Sequence, residues 1–140
     1  MTIGFREIWV GGQRYYVTPY GNLPSVTTVL KETRSAADIA GLEKWKREEP
    51  DHAQISADAA ARGKELHAMI EAYLKKGVTG TGRWWASVWP YLQNVDRHRE
   101  VLIETPVCSP EGYAGCLDLL AYVGDELTLI DWKTARKRKR

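Results

Sequence analysis

The sequence predicts an α+β fold, with helices leading into a small, mainly antiparallel sheet. Three observations point there. Tyr113 to Val123 is a run of apolar, β-branched and aromatic residues, Leu127 to Lys133 alternates, and Gly124-Asp125 lies between them as a tight hairpin signal. Val101 to Val107 supplies one more strand just before that pair. Upstream, Ala57 to Lys76 carries Ala59, Gly63, Leu66, Ile70 and Tyr73 at the spacing of one buried helix stripe. A length of 140 residues with 44% hydrophobic content suits a single domain with a core. We expect that domain over 1–135, with a hairpin and helices in 1–55, the main core in 56–135, and a basic tail at 136–140.

In chain order, Trp9 to Thr18 reads as a small hairpin turning at Gly11-Gly12, and Asn22 to Ser25 as a turn closed by Pro24. Ser25 is placed to cap a helix that buries Val26, Val29 and Leu30. Ala36 to Glu48 is a second helix, closed by Pro50. Ser56 is the expected cap of the long helix that follows. Gly77 to Gly82 is a linker. Arg83 to Val95 is a last helix, with Trp85, Val88, Leu92 and Val95 on one stripe and Pro90 as a kink or break. Trp84 and Trp89 fall to another face, where they suit either packing or stacking on unpaired bases.

The hairpin carries charge where apolar residues are expected. Alternation along the strands groups Asp118 with Cys116, Leu120 and Tyr122, and groups Asp131 and Lys133 with Leu127 and Leu129. Ile130 and Trp132 then point the other way, onto apolar surface that we expect to lie open. Two neighbouring carboxylates make a hard-oxygen site for Mg²⁺ or Mn²⁺, and an ammonium beside them suits phosphodiester hydrolysis. The same residues also suit an ordinary Asp131–Lys133 pair on a surface hairpin. His67 and Glu71 share a helix face, and alone His67 reads equally as a boundary residue satisfied by a neighbour. Glu104, on the strand before the hairpin, is a secondary metal-ligand candidate.

Taken together, these pieces resemble a known family. Asp118 followed by Asp131-Trp132-Lys133 resembles the PD-(D/E)XK nuclease motif, and Gly112-Tyr113-Ala114-Gly115 before Asp118 resembles its RecB-type branch. Arg62-Gly63, His67 and Glu71 resemble that branch's RG-x-x-x-H-x-x-x-E helix. Pro24-Ser25-Val26-Thr27-Thr28 is similar to a signature of the exonuclease group that includes the mitochondrial genome maintenance exonuclease and phage relatives. The resemblance implies a restriction-endonuclease-like core and a Mg²⁺- or Mn²⁺-dependent DNA exonuclease acting on single-stranded ends, with a phage gene as one expected source. The sparse cysteine content leads us to expect an intracellular, cytoplasmic protein. The resemblance also implies that Asp118, Asp131 and His67 hold the metal, that Lys133 serves the attacking water or the transition state, and that Glu71 supports His67. DNA contacts are expected at Arg62, Ser25, Thr27, Arg136, Lys137 and Arg138. The family pattern continues past the Asp-x-Lys strand with a Gln-x-x-x-Tyr helix, so the C-terminal part of the usual core is expected to be missing, or supplied by another chain or a second copy. A nuclease-like DNA-binding module with weak catalysis alone is the alternative.

The charge balance is uneven. Arg136 to Arg140 holds five of the 20 basic residues, leaving 15 against 18 acidic ones, a net of −3 for the rest. A basic run of this kind suits nucleic acid or a solvated terminus. Cys108 and Cys116 make no disulfide framework and no zinc cluster, and no apolar run is long enough to cross a membrane.

Overall fold

The computed structural model describes residues 5–99 and 101–135. Their elements are β1 (Arg6–Val10), β2 (Gln13–Thr18), β3 (Gly21–Pro24), α1 (Val26–Glu32), α2 (Ala36–Glu48), α3 (His52–Lys76), α4 (Gly82–Leu92), β4 (Leu102–Ser109), β5 (Tyr113–Val123) and β6 (Glu126–Ile130). The strands form two three-stranded antiparallel sheets, β1-β2-β3 and β4-β5-β6, so the fold is mixed α+β as the sequence predicts. By contact density the chain falls into two compact units. One takes residues 1–50 and 105–117, the other 51–104 and 118–140. No helix among the described residues is long and apolar enough to cross a membrane.

The first unit is built around its hairpin. β1 and β2 pair from Arg6↔Val17 to Val10↔Gln13. Residues 22–25 were expected as a turn, but Gly21–Pro24 is a third strand, paired from Tyr15↔Pro24 to Thr18↔Gly21. Pro24 is tolerated because it ends an edge strand. Ser25 caps α1 as expected: its Oγ accepts from Thr28 N–H at 3.0 Å and donates to Thr28 Oγ1 at 2.9 Å. Ser25 also bridges to Ala114 in parallel. Here the Gly112-Tyr113-Ala114-Gly115 run has a steric reason, since a Cβ on Gly115 would lie 3.2 Å from Val26 Cγ2. α2 buries none of its residues, and Ile39 and Trp45 stay exposed.

In the second unit, α3 and α4 cover one face of β5 and β6. Leu66, Ile70 and Leu74 of α3, Trp85 and Leu92 of α4, Leu119 and Ala121 of β5, and Trp132 form the core. Two expectations fail along α3. The helix begins at His52, with Asp51 as its N-cap, and Ser56 lies inside it. The reason is composition: His52 to Ser56 holds no helix breaker, so the helix propagates back to the end of the Pro50 turn. The buried stripe continues to Leu74, with Tyr73 half-buried beside it. Trp89 takes the packing role that its position suits, though not on a face apart from Trp85. It stacks on Trp85 at 5.6 Å, while Tyr73 meets both indoles edge-on at 5.8 and 5.2 Å. Pro90 sits in the last turn of α4, and Val95, beyond that helix, bridges to Val123.

β5 matches its expected bounds, whereas β6 ends at Ile130 rather than Lys133. The cause is a side-chain acceptor. Trp132 N–H donates to Asp118 Oδ2 at 2.8 Å, so the backbone donor that would extend the ladder is already used. Ile130 and Trp132 are not left open either, because the indole of Trp132 is buried and Ile130 packs against the same core. The exposed apolar residues of the hairpin are instead Leu127 and Leu129, on the opposite side of β6.

Leu119 is fully buried beneath both helices. Leu119→Ala is expected to cost about 2–5 kcal/mol of stability. Urea unfolding followed by tryptophan fluorescence checks this. A loss under about 1 kcal/mol would show that the face is not packed as described.

Candidate metal and phosphoryl site

The hairpin register builds the centre of the site. β5 and β6 pair from Val123↔Glu126 at the turn to Leu119↔Ile130 at the open end. The next residue outward on each side is a carboxylate, Asp118 and Asp131. The two carboxylates influence each other's ionisation, in opposite directions. Burial chiefly raises the Asp118 carboxyl above its ordinary value, with Asp131 adding to the rise, while Trp132 N–H and His67 work against it. At Asp131 burial also pushes upward, but the Lys133 hydrogen bond and charge outweigh it and hold that carboxyl low. Lys133 Nζ lies 2.9 Å from Asp131 Oδ2, and that bond raises the Lys133 ammonium. Lys133 is 80% exposed, so it can turn toward a ligand at little cost.

Two further elements complete the cluster. α3 presents His67 one residue beyond the buried Leu66, and β4 presents Glu104. Glu104 has φ 44, a left-handed backbone that a non-glycine residue adopts at a cost of roughly 1–3 kcal/mol. His67 Nδ1 lies 2.9 Å from Glu104 Oε1. Its Nε2 lies 3.2 Å from the Trp132 carbonyl oxygen and 3.7 Å from Asp118 Oδ2. Ligand atoms of His67, Glu104 and Asp118 all fall within 4.8 Å of one another. The donor set of carboxylates and one imidazole fits a divalent cation such as Mg²⁺ or Mn²⁺.

The other sequence candidates are placed as follows. Glu71 pairs with Lys75 one turn along α3 rather than supporting His67, because its flexible side chain reaches a lysine on the same helix face. Arg62 lays its guanidinium 4.9 Å over the Trp84 ring. Ser25 is buried at the floor of a cleft, with its hydroxyl used in capping α1. Thr27 is exposed and lines a cleft of about 270 Å³ with Trp9, Arg14 and Lys31. Arg136, Lys137 and Arg138 lie outside the described residues. Sequence reasoning ranked Glu104 behind the aspartates because nothing in the alternation of β4 announces a left-handed residue.

No protein-family model matches the chain. Over 133 residues it is 29% identical to mitochondrial genome maintenance exonuclease 1 of Xenopus tropicalis, a match covering 85% of this chain and 38% of that protein. The Mus musculus protein of the same name is 28% identical over 133 residues, covering 84% and 38%. The Homo sapiens protein is 30% identical over 132 residues, again covering 84% and 38%. The chain thus spans 38% of the length of the curated relatives it matches.

Both ring nitrogens of His67 face acceptors, a carboxylate and a carbonyl, so the metal-free geometry calls for the imidazolium. Burial opposes that charge, but Glu104, Asp118 and Trp132 O together raise the pKa above its ordinary 6.5. The stabilisation from this charge is complete below the unfolded value and is lost as pH rises through the higher folded value. Glu104→Gln is expected to lower the His67 midpoint, followed by NMR of the ring carbons without metal. An unchanged midpoint would separate Glu104 from the ring.

Proposed function

We propose that this chain carries the catalytic centre of a metal-dependent DNA exonuclease of the PD-(D/E)XK type, acting on single-stranded ends. The observation that carries the reading is the pairing of Asp118 with Asp131 at the open end of the β5–β6 ladder. His67 and Glu104 lie against Asp118, and Lys133 lies against Asp131. Similarity to proteins named as genome maintenance exonucleases supports the same reading.

Each side chain then has a chemical part. Asp118, Glu104 and His67 hold the cation, with Asp131 completing the set from the exposed side. A divalent cation there would supply charge neutralisation at the scissile phosphate and acidity to the attacking water. Lys133 is the mobile member: released from Asp131, its ammonium orients the water or meets the charge developing on the phosphoryl oxygens. The Trp132 peptide fixes the geometry, with its N–H on Asp118 and its carbonyl oxygen facing His67.

The test is cleavage of end-labelled single-stranded DNA with Mg²⁺, Mn²⁺ or chelator. Lys133→Ala is expected to reduce the rate on the order of 10²-fold or more while leaving Mn²⁺ binding intact. Asp118→Asn is expected to weaken Mn²⁺ binding measured by calorimetry. Equal Mn²⁺ affinity in Asp118→Asn and wild type would remove the metal from this site, and full activity in Lys133→Ala would remove Lys133 from the chemistry.

A further inference from the structure

A cleft of about 950 Å³ opens beside the carboxylate pair. Trp84, Val88 and Tyr91 of α4 form one wall, and Asp131, Trp132 and Lys133 form the rim nearest the site. Its size lies near the upper end of the roughly 300–1,000 Å³ typical of ligand sites, and its lining is mostly apolar with a few polar groups, as such sites require. Tyr91 is 69% exposed, so its ring is available to a ligand and is not part of the core. Trp84 is held in place, with the guanidinium groups of Arg62 and Arg83 each 4.9 Å from its ring. Those two cations, with Lys133, put positive charge beside an aromatic wall in an otherwise acidic neighbourhood.

We infer that this cleft is a subsite for the unpaired terminal base of a DNA strand, stacked on Tyr91, with its phosphates drawn by Arg62, Arg83 and Lys133. The inference rests on the phosphodiesterase reading for the identity of the ligand. Aromatic stacking accepts any base, because every base offers a π face, and the cationic groups match the phosphodiester that follows it. Tyr91 offers its exposed face to an unpaired base, which is seated without opening a base pair.

The experiment uses a short, internally labelled oligothymidylate, held in chelator so that it is not cut, and a second oligonucleotide with abasic sites at both termini. Anisotropy gives the affinities. Tyr91→Ala is expected to weaken binding of the intact oligonucleotide by roughly 5- to 150-fold, the range of one lost stacking contact. Tyr91→Phe, which keeps the ring, is expected to restore it. The abasic oligonucleotide is expected to bind the wild type about as weakly, with no further loss on Tyr91→Ala. Equal affinity of Tyr91→Ala and wild type, no penalty for the abasic ends, or no binding at all would each overturn the subsite. Cleavage is followed separately with Mg²⁺ and Mn²⁺. Tyr91-dependent binding without cleavage under either metal would overturn the catalytic reading and leave the subsite standing. Cleavage with no dependence on Tyr91 would do the reverse.

Discussion

One hydrogen bond joins the core of the second unit to its chemistry. Trp132 N–H donates to Asp118 Oδ2, and three consequences follow from that contact. The β5–β6 ladder stops at Ile130, because the next backbone donor is taken by a side chain. The indole of Trp132 is then free to enter the core beside Leu66, Leu119 and Ala121. The residues on either side of it, Asp131 and Lys133, are thrown to the surface, 60% and 80% exposed. A buried anchor between two exposed charges is a stiff way to present them, since aromatic burial resists rotation of the segment.

The electrostatics of the cluster are strained in a consistent direction. Two carboxyl groups and one imidazole converge within a half-buried space, and Asp131 adds its charge to Asp118 from the exposed side. The imidazolium of His67 and the ammonium of Lys133 each offset part of the negative charge, from opposite ends. Of the two, the His67 contact matters more for the fold. Lys133–Asp131 is a surface pair screened by water, whereas His67–Glu104 is half-buried and sits where Glu104 adopts a left-handed backbone. That strain is placed beside the carboxylates and nowhere else among the described non-glycine residues.

Much of this was legible in the sequence, and the reasons are specific. A two-residue turn at Gly124-Asp125 fixes an antiparallel register, and the register alone sets Asp118 opposite Asp131. The helical spacing of Leu66, Ile70 and their neighbours places His67 at the border of the buried stripe. What escaped were features that depend on tertiary partners. The start of α3 at His52 was hidden because Ser56 reads as a cap although nothing in His52 to Ser56 breaks a helix, and β3 was hidden because Pro24 and Asn22 read locally as a turn. Periodicity sets Trp89 on a face apart from Trp85 because it cannot report that Tyr73, one helix away, closes over both indoles. The end of β6 and the backbone of Glu104 both arise from side chains distant in sequence, so no local pattern announces them. Ser25 and Glu71 show the converse limit. Each fits a motif by position, yet one hydroxyl is consumed by the helix cap and one carboxylate by the adjacent lysine.

The described surface near the site therefore presents two unlike neighbours. Acidic groups crowd the end of the β5–β6 ladder, and a DNA phosphate approaching them alone would be repelled by like charge. Cationic and aromatic groups of α3 and α4 lie beside them, at Arg62, Arg83, Trp84 and Tyr91. On the proposed reading these are two halves of one requirement. Stacking and guanidinium contacts would capture a strand end without needing the carboxylates, and a cation held by Asp118, Glu104 and His67 would supply the positive charge that lets the phosphate approach them. On that reading binding would be divided from reaction, the first resting on Arg62 of α3 with Arg83 and the aromatic groups of α4, the second on the ladder end. Lys133 is a cation that belongs to both, because it lines the cleft and pairs with Asp131. Its long, exposed side chain can follow the phosphate from one region to the other, which a shorter or buried cation in its place could not do.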